Sequence, residues 1–252
     1  MKKTLTALSA LLTLGTLPSA AFADLAFNVG AVSDYRFRGM SQSRLMPALQ
    51  GGVDWSANGF YAGAWASTIR WVQDLGGSGD IEIDGYGGYK GELIKDTLSY
   101  DVGALTYFYP GNNLKPSANT TEIYGALTFG PATVKYSHAL TNTFGNVDSK
   151  NSGYLDVSAS FDMGGGVMVT PHVGYQRISG PNSNVGSYVD MSLTLSKDFN
   201  GFVPSLAIVG NRSYDGAFYS SPYDGKSLAK ATVVVGVKYN FGSIEFQVGC
   251  PA

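Results

Sequence analysis

Twelve segments of this chain alternate apolar and polar residues with a period of two, and this alternation limits the possible folds more than any other feature. In one segment, Leu155, Val157 and Phe161 share a face opposite Asp156 and Ser158. A period of two is typical of a β-strand whose two faces meet different surroundings. Most of the segments are about 9–13 residues long, which suits tilted strands that cross a membrane. The segments are 26–38, 47–55, 60–70, 80–90, 97–109, 120–129, 132–141, 153–162, 167–178, 187–198, 203–212 and 230–241.

The connections between these segments alternate in length. The short ones are 56–59, 91–96, 130–131, 163–166 and 199–202. The long ones are 39–46, 71–79, 110–119, 142–152, 179–186 and 213–229. Outer-membrane barrels have short periplasmic turns and long extracellular loops, and a periplasmic N-terminus places every connection of this chain on the matching side. A soluble β-sandwich gives no reason for this order. The sequence therefore predicts an all-β, antiparallel, up-and-down transmembrane barrel of about 12 strands.

The N-terminus has the features of a secretory signal peptide. Lys2 and Lys3 precede an apolar stretch from Leu5 to Leu17, and a small-x-small cleavage site follows. The apolar stretch is too short for a membrane-spanning helix, which needs about 20 residues. We predict a signal peptide at 1–23 and a single barrel domain at 24–252, exported to the bacterial outer membrane.

The composition agrees with strands that do not all face water. Charged residues make up only 14% of the chain, which contains 33 glycines and 16 tyrosines. After the signal segment no apolar run is long enough for a spanning helix, so a membrane protein of this kind has to be a closed barrel. The formal net charge is −2 and there is no basic block, which argues against a nucleic-acid partner. Cys250 is the only cysteine and has no partner for an internal disulfide.

Aromatic residues recur near the ends of the segments. Such rings favour the headgroup region of a bilayer, where one edge is apolar and the other is wet. Cross-strand packing in a soluble sheet is the alternative explanation. The residues are Tyr35, Phe37, Trp55, Phe60, Trp71, Tyr107, Phe108, Phe129, Phe161, Tyr175, Tyr239 and Phe241.

Several phrases in fixed order resemble the TorF family of porins. They are SDYRFRG at 33–39, SQS at 41–43, PALQGG at 47–52, GFYAGAWAS at 59–67, YFYPG at 107–111 and TEIYG at 121–125. The resemblance extends over the whole mature chain and is densest between residues 28 and 70. It implies an outer-membrane β-barrel with a pore function, and it does not identify a solute.

The polar face of each strand would line the lumen. Acids outnumber bases on that face, which suggests weak cation preference, because rings of charge set pore selectivity. The alternative is that acids and bases pair across the lumen and only stiffen the barrel. The candidate lumen-lining residues are Asp34, Arg36, Arg38, Asp54, Asp80, Glu82, Asp84, Lys90, Asp101, Glu122, Lys135, Asp156, His172, Asp190 and Lys238.

Two charge ladders stand out on this face. Asp34, Arg36 and Arg38 alternate near the outer end of the first segment, either as a constriction or as a ladder that bonds to neighbouring acids and to the first long loop. The carboxylates at 80, 82 and 84 lie about 7 Å apart along one strand. Calcium accepts such oxygens, but no calcium-loop pattern accompanies them, so paired lumen charges are the simpler interpretation.

We therefore predict a passive channel for small hydrophilic solutes or ions, with no enzymatic step, cofactor or bound metal. Twelve tilted strands give a backbone diameter of about 24 Å and a lumen of about 10–14 Å if no loop fills it. The expected partners are outer-membrane lipids, the barrel-assembly machinery and small hydrophilic solutes. The alternatives are a non-conducting barrel that binds through its long loops, a lipid hydrolase that uses His138, and a soluble secreted β-protein. No Gly-x-Ser-x-Gly motif supports the hydrolase.

Overall fold

The computed structural model describes residues 22–213 and 217–247, most of which form antiparallel strands. Two four-residue helices, α1 (Trp71–Asp74) and α2 (Ser183–Gly186), lie in connections. None of the helices in this part of the chain is long and apolar enough to cross a membrane. The strands are β1 (Phe22–Val32), β2 (Arg36–Phe37), β3 (Met40–Ser41), β4 (Ala48–Ala57), β5 (Phe60–Thr68), β6 (Ile81–Ile94), β7 (Leu98–Phe108), β8 (Thr120–Phe129), β9 (Ala132–Ala139), β10 (Gly153–Ala159), β11 (Phe161–Asp162), β12 (Val167–Arg177), β13 (Tyr188–Lys197), β14 (Phe202–Ser213) and β15 (Thr232–Gln247).

The strands close into one barrel. β1 pairs antiparallel with β4 on one side and with β15 on the other, so the first and last strands meet. β10 pairs with β12, and β11 continues the same ladder beyond Ser160. Within the described residues the ring therefore has twelve strands, with β10 and β11 counted as one. This confirms the predicted fold class.

The connections confirm the predicted asymmetry. The described turns between β4 and β5, β6 and β7, β8 and β9, β11 and β12, and β13 and β14 are short and lie at one end of the barrel. The connections that begin at 33, 69, 109, 140, 178 and 214 are long and lie at the other end, which we call the long-loop end. Asn58 and Gly59 take positive φ angles of 50° and 84° in the first short turn, which fits a tight hairpin.

The two faces of the strands differ as the alternation predicts. Val102, Leu127 and Leu193 project outward and are 48%, 49% and 49% exposed, while the inward Asp190 is 2% exposed. A soluble protein would bury the apolar residues and leave the acid in water. This inverted distribution requires an apolar medium around the barrel.

Inward tyrosine rings fold over glycines of the neighbouring strand. A Cβ placed on Gly103 would lie 2.6 Å from the Tyr124 hydroxyl, and one on Gly63 would lie 2.6 Å from the Tyr86 hydroxyl. Only a residue without a side chain leaves room for a ring lying flat on the strand. The glycines therefore keep large rings against the wall and out of the lumen.

Four strand boundaries lie four residues or more from the predicted ones, and four aromatic positions were predicted wrongly. β1 begins at Phe22 rather than at residue 26, and β6 ends at Ile94 rather than at residue 90. β1 ends at Val32 rather than at residue 38, and β15 continues to Gln247 rather than ending at 241. Eight of the twelve aromatic residues project outward, including Trp55 and Phe129. Tyr35, Phe37, Trp71 and Tyr107 instead pack inside at the long-loop end. Cys250 lies outside the described residues.

Candidate constriction in the barrel

The connection from β1 to β4 folds into the barrel. We call residues 33–47 the inserted loop. Its middle forms a short ribbon in which Arg36 pairs with Ser41 and Phe37 with Met40. Tyr35 and Met40 are buried, although connections between strands are ordinarily exposed. The loop therefore occupies lumen space at the long-loop end.

Hydrogen bonds to Asp34 explain why the loop turns at this point. Its carboxylate accepts from Ser41 Oγ at 2.6 Å and from Ser43 Oγ at 3.2 Å. Arg36 Nε donates to the same carboxylate at 2.5 Å. The Arg36 guanidinium also donates to the carbonyl oxygen of Leu228 at 3.0 Å. The buried carboxylate is thus paired and fully hydrogen-bonded, which a buried charge requires.

Aromatic contacts hold the loop against the wall. The Tyr35 ring lies 5.4 Å from Trp65 of β5, centroid to centroid. The Phe37 ring lies 5.2 Å from Tyr107 of β7 and 5.5 Å from Phe144 of the loop after β9. Edge-to-face pairs at these separations are favourable. The inserted loop therefore has an apolar core of its own inside the barrel.

Arg38 carries the loop across the lumen. Its guanidinium donates to both Glu122 oxygens, at 3.0 and 2.6 Å, and to Gln176 Oε1 at 2.7 Å. It also lies 4.2 Å from the centre of the Tyr154 ring. In the ring of twelve strands, β9 lies opposite β1. Glu122 is on β8 and Tyr154 on β10, the two strands beside β9. A residue anchored beside β1 thus reaches the opposite wall.

The ion pair keeps Arg38 charged. Burial lowers the pKa of the guanidinium, but the charge of Glu122 and its hydrogen bond raise it by more, so the pKa lies above its ordinary value. The next residue, Gly39, has a φ of 76° and packs against Asp190 of β13 and Gly210 of β14. The loop tip therefore contacts the wall on several sides at the level of Arg38.

Two carboxyl groups beside the loop have no cationic partner within the part of the chain that the structure describes. Glu82 and Asp84 project inward from β6 and are almost completely buried. Glu82 Oε1 accepts a hydrogen bond from the Tyr35 hydroxyl at 3.1 Å. Glu82 Oε2 and Asp84 Oδ1 have no hydrogen-bond partner among the described residues. The constriction therefore contains two buried carboxyl groups that the arginines of the inserted loop do not contact within the described residues.

The half of the barrel nearer the short turns has a different lining. The Tyr86 hydroxyl donates to Asp54 at 2.5 Å, and the Tyr61 hydroxyl donates to Asp101 at 2.5 Å. Tyr61 and Tyr124 also bond to each other through their hydroxyls. Lys135 Nζ lies 3.8 Å from the centre of the Tyr124 ring. Acids, lysines and tyrosines thus line the wall in this half of the barrel.

Comparison with known proteins identifies the family. Residues 18–241 match the family described as "Bacterial protein of unknown function (Gcw_chp)". The chain belongs to the Gcw_chp family. No curated protein matches it significantly in sequence.

Solved structures support the architecture of this Gcw_chp family member. The structure titled "KdgM porin" is similar with a TM-score of 0.55 at 10% identity, covering 87% of this chain and 99% of that one. The structure titled "NanC porin structure in rhombohedral crystal form" gives a TM-score of 0.54 at 12% identity, covering 86% and 99%. At such low identity the likeness establishes the fold alone.

A second network lies inside this Gcw_chp barrel beside the constriction. His172 Nε2 lies 3.0 Å from Asp156 Oδ2, and the Tyr154 hydroxyl donates to Asp190 Oδ1 at 3.0 Å. His172 Nδ1 lies 3.5 Å from Asp190 Oδ2. Three neighbouring strands thus share one polar cluster. The other histidine, His138, is on the outward face and contacts Asn151.

The predicted site residues do not all lie where the alternation places them. Asp34, Arg36 and Arg38 were expected on the first strand, but all three belong to the inserted loop because the chain leaves the sheet after Val32. Asp80 precedes β6 at the rim and is exposed, so it does not extend the ladder of Glu82 and Asp84. The residues that project from the inward face of strands are Asp54, Glu82, Asp84, Lys90, Asp101, Glu122, Lys135, Asp156, His172, Asp190 and Lys238.

Sequence reasoning placed Glu122 in the lumen but missed Gln176, Tyr154 and Tyr107 as the other groups that contact Arg38. Gln176 has the inward parity of its strand, but nothing in the sequence links it to residue 38. Tyr154 and Tyr107 lie near the ends of segments 153–162 and 97–109, where an aromatic residue is ordinary. The available signal was Ser41 and Ser43 following Asp34, since short hydroxyl side chains near an aspartate often build a turn.

Proposed function

We propose that this protein is an outer-membrane channel for passive diffusion of small hydrophilic solutes or ions, as the resemblance to the TorF family also implies. The observation that carries the proposal is a closed barrel with an apolar outer face and a charged, tyrosine-rich interior. Hydrocarbon tolerates such an outer face only on a closed barrel. A barrel with a solid core would have an apolar interior. The polar interior of this barrel instead provides hydrogen bonds for water and solutes. The two structural relatives called porins support this proposal.

Transport in this proposal needs no covalent step. The inserted loop sets the size limit, and the charges beside it set selectivity. Arg36 is paired with Asp34 and Arg38 with Glu122, which leaves Glu82 and Asp84 as the described carboxyl groups beside the loop without an arginine partner. We expect mild cation preference. His172 faces the lumen and contacts Asp156, and the hydrogen bond of His138 on the outer face is to Asn151 rather than to a serine, so we do not propose an enzyme.

The proposal includes export and assembly. A signal peptide at 1–23 would direct the chain across the inner membrane, and the barrel-assembly machinery would insert it among outer-membrane lipids. The long loops would then face outward and the short turns would face the periplasm. The finding that would contradict this is accessibility of the short turns, rather than the long loops, to protease on intact cells.

Single-channel recording tests the channel directly. We would refold residues 24–252 into planar bilayers and measure current steps and reversal potentials in a salt gradient. The expected result is discrete steps with a reversal potential on the cation-selective side. A barrel that is folded by its heat-modifiable gel mobility but passes no current would overturn the proposal.

The inserted loop favours a second candidate, a barrel that binds solutes without conducting them. Its contacts with β6, β7, β8, β10, β12 and β13 cross the lumen. If the loop never leaves, the long-loop end stays closed. Absence of current in the complete chain, together with current in a variant that lacks the loop, would support this candidate over the open channel.

A further inference from the structure

The wall that receives Arg38 is a binding cradle for a guanidinium group. Glu122 supplies both carboxylate oxygens to the guanidinium, and Gln176 supplies its amide oxygen. The Tyr154 ring covers one face of the group at 4.2 Å. Carboxylate forks and aromatic faces are the two partners that guanidinium prefers in proteins. We define the cradle as Glu122, Gln176 and Tyr154.

The cradle does not depend on the loop that fills it. Glu122 is on β8, Tyr154 on β10 and Gln176 on β12, so all three groups are fixed to the barrel wall. Gln176 Nε2 donates to the carbonyl oxygen of Gly153 at 3.1 Å, which orients its oxygen toward the guanidinium. Only Arg38 itself comes from the inserted loop. If the loop moved away, these three groups would remain as an empty cation site.

The loop is held in a conformation that it does not favour locally. Arg38 has a φ of 47°, and Arg44 and Leu45 each have a φ of 59°. Side-chain-bearing residues in this region cost free energy and persist where surrounding contacts enforce them. The contacts of Arg38 with the cradle are among those that offset this cost. Competition for the cradle would therefore release a strained segment.

We propose that the cradle recognises small organic cations with a guanidinium or primary ammonium group, and that Arg38 occupies it as a tethered stand-in until such a solute displaces the loop. This inference rests on the proposed channel function and assigns a solute class to it. Glu82 and Asp84 strengthen the assignment, because they offer two further buried carboxylates without a cationic partner. β6 is two strands from β8, roughly 10 Å at the usual strand spacing. A solute with a cation at each end fits this pair of sites better than a single head group.

Deletion of the Arg38 side chain provides the first test. Glycine suits the positive φ at this position, so Arg38→Gly empties the cradle without new backbone strain. We would measure the thermal stability of the refolded variant in detergent against methylguanidinium, with urea as a neutral planar control. Methylguanidinium should raise Tm in a concentration-dependent manner, and urea should not. Glu122→Gln in the same background should weaken the effect about tenfold to a hundredfold, as loss of a charged hydrogen-bond partner does.

A second probe and variant keep the proposal testable if Arg38→Gly folds poorly. In the variant whose inserted loop is replaced by a short turn, agmatine should bind more tightly than methylguanidinium, and Glu82→Gln with Asp84→Asn should remove the difference. Equal responses to methylguanidinium and urea in both variants would overturn the proposal. Binding is measured in detergent and does not depend on conduction. A cation-dependent rise in Tm without bilayer current would therefore contradict the channel function and still support the cation-binding cradle.

Discussion

Substitution of Gly103 tests whether the tyrosine–glycine contacts hold the barrel wall together. A Cβ on Gly103 would lie 2.6 Å from the carbonyl oxygen of Gly87 and 2.6 Å from the Tyr124 hydroxyl. The first atom is backbone and cannot turn aside. The second belongs to a tyrosine that also bonds to the Tyr61 hydroxyl. Gly125, on the next strand and facing outward, would meet nothing within 4 Å and is the matched control.

The expected magnitude follows from two opposing terms. Overpacking at a site that cannot relax costs about 1–3 kcal/mol. Replacing glycine by alanine where space allows stabilises by about 0.4–1 kcal/mol through the unfolded chain. Gly103→Ala should therefore lower the free energy of unfolding, while Gly125→Ala should leave it unchanged or raise it. Because the unfolded-chain term applies to both variants, the difference between them should be about 1–3 kcal/mol.

Equilibrium unfolding in denaturant, with the protein refolded into phosphatidylcholine vesicles, measures this difference. The midpoint of Gly103→Ala should fall below that of the parent chain, with an unchanged slope. If the two variants unfold at the same denaturant concentration, the tyrosine rings do not depend on the glycines and the reasoning fails. The reasoning also fails if Gly103→Ala displaces the Tyr124 ring but leaves the stability of the barrel at that of the parent chain.

Two further predictions concern charge and the outer face. Glu82→Gln with Asp84→Asn should shift the reversal potential toward zero. Glu92→Gln, a control at an exposed position at the opposite end of the barrel, should not shift it. Equal reversal potentials in the parent chain and both variants would show that Glu82 and Asp84 do not lie in the conduction path. Leu193→Arg, on the outward face in the middle of β13, should reduce the free energy of folding into bilayers by about 2–4 kcal/mol. Leu75→Arg, in a long connection, should change it little. Equal stabilities of the two variants would argue against lipid around β13.

The strands and their faces could be predicted because one physical rule applies along the whole barrel. An apolar outer face and a polar interior impose the same pattern on every strand, so alternation persists from β1 to β15. Val102 faces outward and Asp101 inward, and Ile123 and Glu122 repeat the arrangement on the next strand. Connection lengths follow from the same topology. These features are local and need no knowledge of distant contacts.

The inserted loop could not be predicted from the same rule. Residues 33–38 keep the alternation, so parity alone extended β1 by six positions. In the structure the alternating residues serve the small ribbon and its packing instead: Phe37 meets Tyr107, and Arg38 meets Glu122. The turn depends on hydrogen bonds to Asp34, and the contacts of Arg38 join residues 84 and 138 positions apart. Such partners become visible only when the barrel has closed.

Replacement of the inserted loop tests most directly whether the barrel is a channel that this loop narrows. Val32 and Ala48 are paired neighbours, so a two-residue hairpin turn can join β1 to β4 in place of residues 33–47. The measurement is the single-channel conductance of this variant and of the complete chain in planar bilayers. The account predicts steps from both proteins, with larger conductance in the variant. Equal conductance would show that the loop does not limit the path, and folded barrels without current in either form would contradict the channel itself.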